Sequence, residues 1–156
     1  MQDATNHIWM RALAAGAVGA LTLTAVHQLA KRVSSNAPRM DVLGERAIAR
    51  SVEALRRTPP AQPALHRWAL AGDLLANSAY YSLIACGREP RVWARAVPLG
   101  LAAGVGALLV PQPMGLGHPP HSEQLSNQAM TVSWYLLGAL ATALTFNVAT
   151  RRTGQH

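Results

Sequence analysis

Between residues 12 and 26 the chain reads ALAAGAVGALTLTAV, fifteen residues without an ionisable side chain. A helix that rests on a globular core in water needs a polar stripe along its length, and this run has none. The surrounding stretch, approximately 8–30, is long enough to cross a hydrocarbon layer of ~30 Å, which takes about 20 helical residues. Three more segments are long enough and apolar enough to cross as well, at approximately 65–86, 92–110 and 129–149. Inside lipid every backbone N–H and C=O must be satisfied within the chain, so each is expected to be a helix. The expected fold is all-α: one integral membrane domain over 1–156, a four-helix bundle with an additional amphipathic surface helix between the first two spans.

Trp9, Trp68 and Trp93 each stand near the start of a segment, where an amphipathic ring settles at the headgroup level. The third segment carries Arg95 and Pro98 in its first turns, which leaves it open to tilt, a kink or a re-entrant path. Two other readings of the apolar runs fit less well. A water-soluble bundle would need solvated faces that the first and fourth segments lack. A cleaved leader would need a basic start, whereas Asp3 and polar neighbours precede the first run.

The formal charge of +7 rests on thirteen Arg and one Lys. These do not alternate with aromatic residues along one face, as a surface for stacking bases would require, so no nucleic-acid partner is expected. They flank apolar runs or lie in the first connection. There, approximately 41–57, Leu43, Ala47, Ile48, Val52 and Leu55 share one side at 100° per residue, and Glu45, Arg46, Arg50, Glu53, Arg56 and Arg57 the other. Asp41 suits the start of this helix, Arg56 and Arg57 its negative end, and Pro59 and Pro60 stop it. Lying on the bilayer, it would present Arg39, Arg46, Arg50, Arg56 and Arg57 to anionic headgroups. Docking on a partner subunit, or closing over the bundle as a lid, are the rival readings.

Four crossings place the first and third connections on one side. That side has eight Lys and Arg (Lys31, Arg32, Arg39, Arg46, Arg50, Arg56, Arg57, Arg67), against six on the other (Arg11, Arg88, Arg91, Arg95, Arg151, Arg152). The positive-inside tendency puts the long connection in the cytoplasm. Arg in place of Lys marks a GC-rich genome, and a bacterial inner membrane is the expected location. Gly100 and Gly104 form a G-x-x-x-G that allows close helix approach, within the bundle, in a homo-oligomer or in a larger membrane complex.

The second segment is interrupted by polar residues. His66, Asp73, Asn77, Tyr80 and Tyr81 recur at helical offsets and form one stripe. The first segment has Thr24, His27, Gln28 and Lys31 near its end. With antiparallel spans and a rise of about 1.5 Å per residue, His27 and Asp73 fall at similar depth, beside Thr131 and Ser133 in the first turns of the fourth. An ionised carboxylate facing lipid is costly, so Asp73 should face the bundle interior, and pairing with His27 completed by Asn77 is expected. Such a cluster either cross-links helices or marks a proton or solute path.

Cys86 is the single cysteine, so no internal disulfide can form. His118, His121 and Glu123 form a metal-like grouping, but H-P-P-H is not a helical ligand pair, and no metal or cofactor is expected. No H-E-x-x-H, G-x-S-x-G or phosphate-binding glycine loop occurs. The expected role is therefore non-enzymatic: an accessory or scaffold protein, or a minimal transport-type protein. The alternative is a membrane-embedded enzyme acting on a lipid or lipid-like substrate through His27 and Asp73, with Arg39 on a phosphate.

Overall fold

The structure, a computed structural model, describes residues 2–86 and 91–153, with side chains for 8–86 and 91–151. Arg88 of the charge tally lies outside them, as do the side chains of Asp3 and Arg152. Five helices follow one another: α1 (Gln2–Val33), α2 (Met40–Ala54), α3 (Gln62–Ala85), α4 (Val92–Leu109) and α5 (Leu125–Thr153). No strand occurs among the described residues.

Three of these are long and apolar enough to cross a membrane, over Ile8–Val33, Val92–Leu109 and Leu125–Arg151. The fourth expected span, α3, is not among them: its 24 residues suffice in length, but His66, Arg67, Asp73 and Asn77 make it less apolar than the other three. The third segment, by contrast, is a continuous helix that runs through Pro98, with no re-entrant break. Arg95 turns back to donate to the carbonyl of Cys86, which caps the end of α3.

The four long helices run antiparallel in sequence order. Their inner residues are small: Ala12, Ala15, Ala20, Ala96, Ala139 and Ala143 are almost wholly buried, together with Tyr81 and Ile84. Small side chains let helices approach closely in a medium that supplies no hydrophobic force between them. The G-x-x-x-G of α4 is used within the chain: a Cβ on Gly104 would lie 2.7 Å from Val132 Cα, and one on Gly100 2.8 Å from Ala139 Cβ. Large apolar side chains point outward instead, among them Leu13, Leu21, Leu101, Leu109, Leu137 and Leu144. Only 22% of α4's apolar window is buried. That inverts the usual arrangement in water, where the large apolar side chains fill the core.

α2 lies across one end of the helices. Leu43 is buried, Gly44 faces Ala69 of α3, and Ile48 reaches Gly72. The amphipathic helix is shorter than its pattern suggests, because it ends at Ala54 and not at residue 57. Arg56 takes a left-handed conformation (φ 56°), its N–H bonds to Glu53 O at 2.8 Å, and that of Arg57 bonds to Val52 O at 3.1 Å. This is the Schellman closure of a helix, with arginine where glycine is usual. Arg56 and Arg57 thus lie past the helix and complement no last turn.

The outer side of α2 touches the Pro-rich third connection. Arg46 Nη1 donates to Leu116 O (2.8 Å) and His118 O (3.0 Å), and Arg50 Nη1 to Met114 O (3.3 Å). Arg39 N–H bonds to Pro120 O, and Asn127 Nδ2 joins Asn36 O to His121 O. The first and third connections are therefore physically joined at one end of the molecule.

Candidate functional site

A cavity of about 200 Å³ opens beneath α2, between the end of α1, the start of α3 and the α5 residues Trp134 and Tyr135. Of the polar cluster expected from sequence, His27, Gln28, His66 and Asp73 line it. They come together because α1 and α3 are antiparallel, so the C-terminal turns of one meet the N-terminal turns of the other. Asn77 sits one turn further along α3 and donates through Nδ2 to Asp73 Oδ1 at 2.9 Å.

The expected contact between His27 and Asp73 is not made. His27 donates from Nε2 to Pro38 O at 3.1 Å and stacks on Trp134, with ring centroids 5.3 Å apart. Its imidazole thereby fastens the α1–α2 turn. Asp73 accepts from Asn77 and, among the described residues, makes no ion pair. His66 departs from the stripe as well, pairing through Nδ1 with Glu45 Oε1 of α2 at 2.7 Å.

The remaining members serve the packing. Tyr80 donates to Leu99 O of α4 (2.9 Å), and Tyr81, fully buried, to Tyr135 O of α5 (2.8 Å). Thr131 and Ser133 bond back to the carbonyls of Asn127 and Ala129 on their own helix, and Ser133 is exposed, away from the cavity. Of the arginines assigned to lipid, Arg46 and Arg50 are engaged by loop carbonyls and Arg39 by Asp41, while Arg56 and Arg57 stay exposed.

Asp41 is the residue that sequence reasoning left out of the cluster. It lines the cavity and accepts from Lys31 Nζ (2.7 Å) and Arg39 Nε (3.3 Å). Burial pushes its carboxyl up, but the two cationic donors outweigh that and hold it below the ordinary 3.8. The signal lay in the sequence as Asp41 at the helix start with Arg39 before it; Lys31 is brought in by the turn. Thr24 also borders the cavity, and its Oγ1 is buried without a hydrogen-bond partner among the described residues.

One set of side chains has the composition of a metal site. Single ligand atoms of Asp41, Glu45 and His66 lie within 4.8 Å of one another. Both Asp41 oxygens already accept from cations and Glu45 accepts from His66, so a metal ion would have to displace Lys31, Arg39 and a proton. The set fits a charge-balanced clamp on α2 better than a metal centre. His118, His121 and Glu123 do not form such a group.

The charges around the cavity thus sort into two kinds. Asp41 carries two cationic donors and Glu45 accepts from His66, whereas Asp73 faces the space with a neutral amide for company. Leu23, Leu43, Leu70 and Trp134 add an apolar wall to this partly open cavity. Such a mixture of apolar lining and few placed polar groups is what small-molecule sites share. Compared with models of protein families, with curated proteins and with solved structures, the chain matches none.

Proposed function

We propose that the chain is a four-span protein of a bacterial inner membrane that holds a small amphipathic solute beneath the α2 lid, acting as a minimal transport-type protein. The observation that carries the reading is Asp73, a carboxylate without a counter-ion beside a lidded, largely apolar cavity. Ionisable groups at membrane depth favour such paths, because a merely structural role is met more cheaply by neutral hydrogen bonds.

The crossing of α3 follows from connectivity. Arg46 and Arg50 touch the third connection, so the first and third connections share a side, and an even number of crossings must separate them. If α4 crosses, α3 crosses with it. Two of its polar residues are then held locally, His66 by Glu45 of the lid and Asp73 by Asn77.

Two measurements test this. In a Cys86→Ser background, cysteines placed at Leu55 and Gln112 should react with an impermeant maleimide from the same face of the membrane, and one at Arg151 from the opposite face. Labelling of 55 and 112 from opposite faces would exclude the four-span arrangement. In proteoliposomes carrying an internal pH dye, solute addition should change the lumen pH for the wild type and not for Asp73→Asn. Wild-type vesicles that behave as protein-free ones would remove the transport reading.

A further inference from the structure

We infer that the ligand of the cavity is a small organic monocation with an apolar body about the size of one aromatic ring. The inference rests on the ligand-holding reading above and adds the sign, the number of charges and the size.

The sign follows from the lining. Asp41 and Asp73 border the cavity and no Lys or Arg does. Lys31 and Arg39, the nearest cations, are turned onto Asp41. An anionic ligand would meet an unbalanced carboxylate and no cationic donor. A positive ligand would meet Asp73, whose Oδ1 is held by Asn77. The number of charges follows from the same lining, because of its two carboxylates Asp41 already holds Lys31 and Arg39 while Asp73 makes no ion pair among the described residues.

The body follows from volume and surface. A protein cavity of about 150 Å³ accepts benzene, so the ~200 Å³ here suits one ring or a comparable branched alkyl group carrying its ammonium. Trp134 and Tyr135 line the same space, and aromatic rings attract organic cations. Inorganic cations fit poorly: a hard ion seeks about six oxygen ligands, while this wall offers mainly Leu23, Leu43, Leu70 and ring carbon.

The test uses the full chain in mild detergent and four probes of similar shape or charge: 2-phenylethylammonium, 2-phenylethanol, phenylacetate and tetramethylammonium. Binding is read by calorimetry and by the shift in melting temperature. The expected result is saturable binding of 2-phenylethylammonium, at least tenfold tighter than 2-phenylethanol, with no binding of phenylacetate. Asp73→Asn should weaken the cation at least tenfold and leave 2-phenylethanol unchanged, and Asp73→Glu should retain cation binding. Retained binding of 2-phenylethanol shows that a weakened variant still has its cavity, and Leu70→Trp should abolish binding of both by filling the space. Equal binding of alcohol and cation, or cation binding indifferent to Asp73→Asn, would overturn the charge assignment and leave the ligand-holding cavity standing. Binding of none of the four would overturn this inference and count against the ligand-holding reading too.

Discussion

Glu45 on α2 and His66 on α3 meet at 2.7 Å and form the hydrogen bond that ties the amphipathic helix to a long helix. Together with Arg46 and Arg50 on the loop and Asp41 on Lys31 of α1, this pair fastens α2 as a lid. Glu45→Gln removes the charge and keeps the shape. Partly exposed pairs contribute about 0.5–1 kcal/mol, so a small loss of stability is expected. The larger effect should appear as faster trypsin cleavage after Arg56 and Arg57, followed by mass spectrometry. Unchanged cleavage would show that the lid is held without this pair.

Asp41 makes acid stability depend on the turn between α1 and α2. Burial raises its carboxyl and the bonds from Lys31 and Arg39 lower it further, for a net position below 3.8. A carboxyl depressed in the folded state stabilises fully above its unfolded value, and that stabilisation is lost as the pH falls through the folded value. Melting curves in detergent should therefore drop for the wild type as the pH goes below about 4. Asp41→Asn should melt lower at pH 6, and the gap between the two should close in acid. A gap that stays constant with pH would refute the assignment.

Much of this was legible in the chain. The uncharged run in α1 implied lipid, the pattern around Ile48 implied α2, and the depth match of α1 with α3 brought His27, His66 and Asp73 to one place. What stayed hidden were the choices each polar group made among several near partners. His27 had the Pro38 carbonyl closer than any carboxylate, and that carbonyl is set by a turn no periodicity describes. His66 found Glu45 because α2 crosses the end of α3, a tertiary placement that an amphipathic pattern leaves open between bilayer and protein. α2 ends before its amphipathic pattern does because Arg56 adopts a left-handed conformation that its residue type disfavours.

That conformation offers a direct gain. A left-handed L-residue costs about 1–2 kcal/mol, and glycine avoids it while losing about 0.5–1 kcal/mol of its greater freedom on folding. Arg56→Gly should raise stability by the difference, roughly 0.5–1 kcal/mol, seen as a higher melting temperature. Arg56→Val should lower it, since a β-branched residue suits that conformation least. Equal melting of all three would mean the turn is not closed as described.

Two glycines of α4 should behave oppositely. Alanine at Gly104 would place its Cβ 2.7 Å from Val132 Cα, so α4 and α5 must move apart, at a cost of about 1–3 kcal/mol. Alanine at Gly106 meets nothing nearer than Val110 Cγ2 at 4.0 Å and should gain up to about 1 kcal/mol from reduced backbone freedom. Thermal melts of the two variants decide the matter. Similar losses at both positions would indicate that small size is not what joins these helices.

The bonds from Arg46 and Arg50 to the third connection also impose an order in time. Their acceptors lie 64 to 72 residues later in the chain. At about 5–20 residues per second, a ribosome needs roughly 3–14 s to deliver them after α2 has emerged. During that interval the helix has an apolar face, a basic face and no dock. The membrane surface is a fitting place for it to wait, so the amphipathic pattern serves the nascent chain before it serves the folded one.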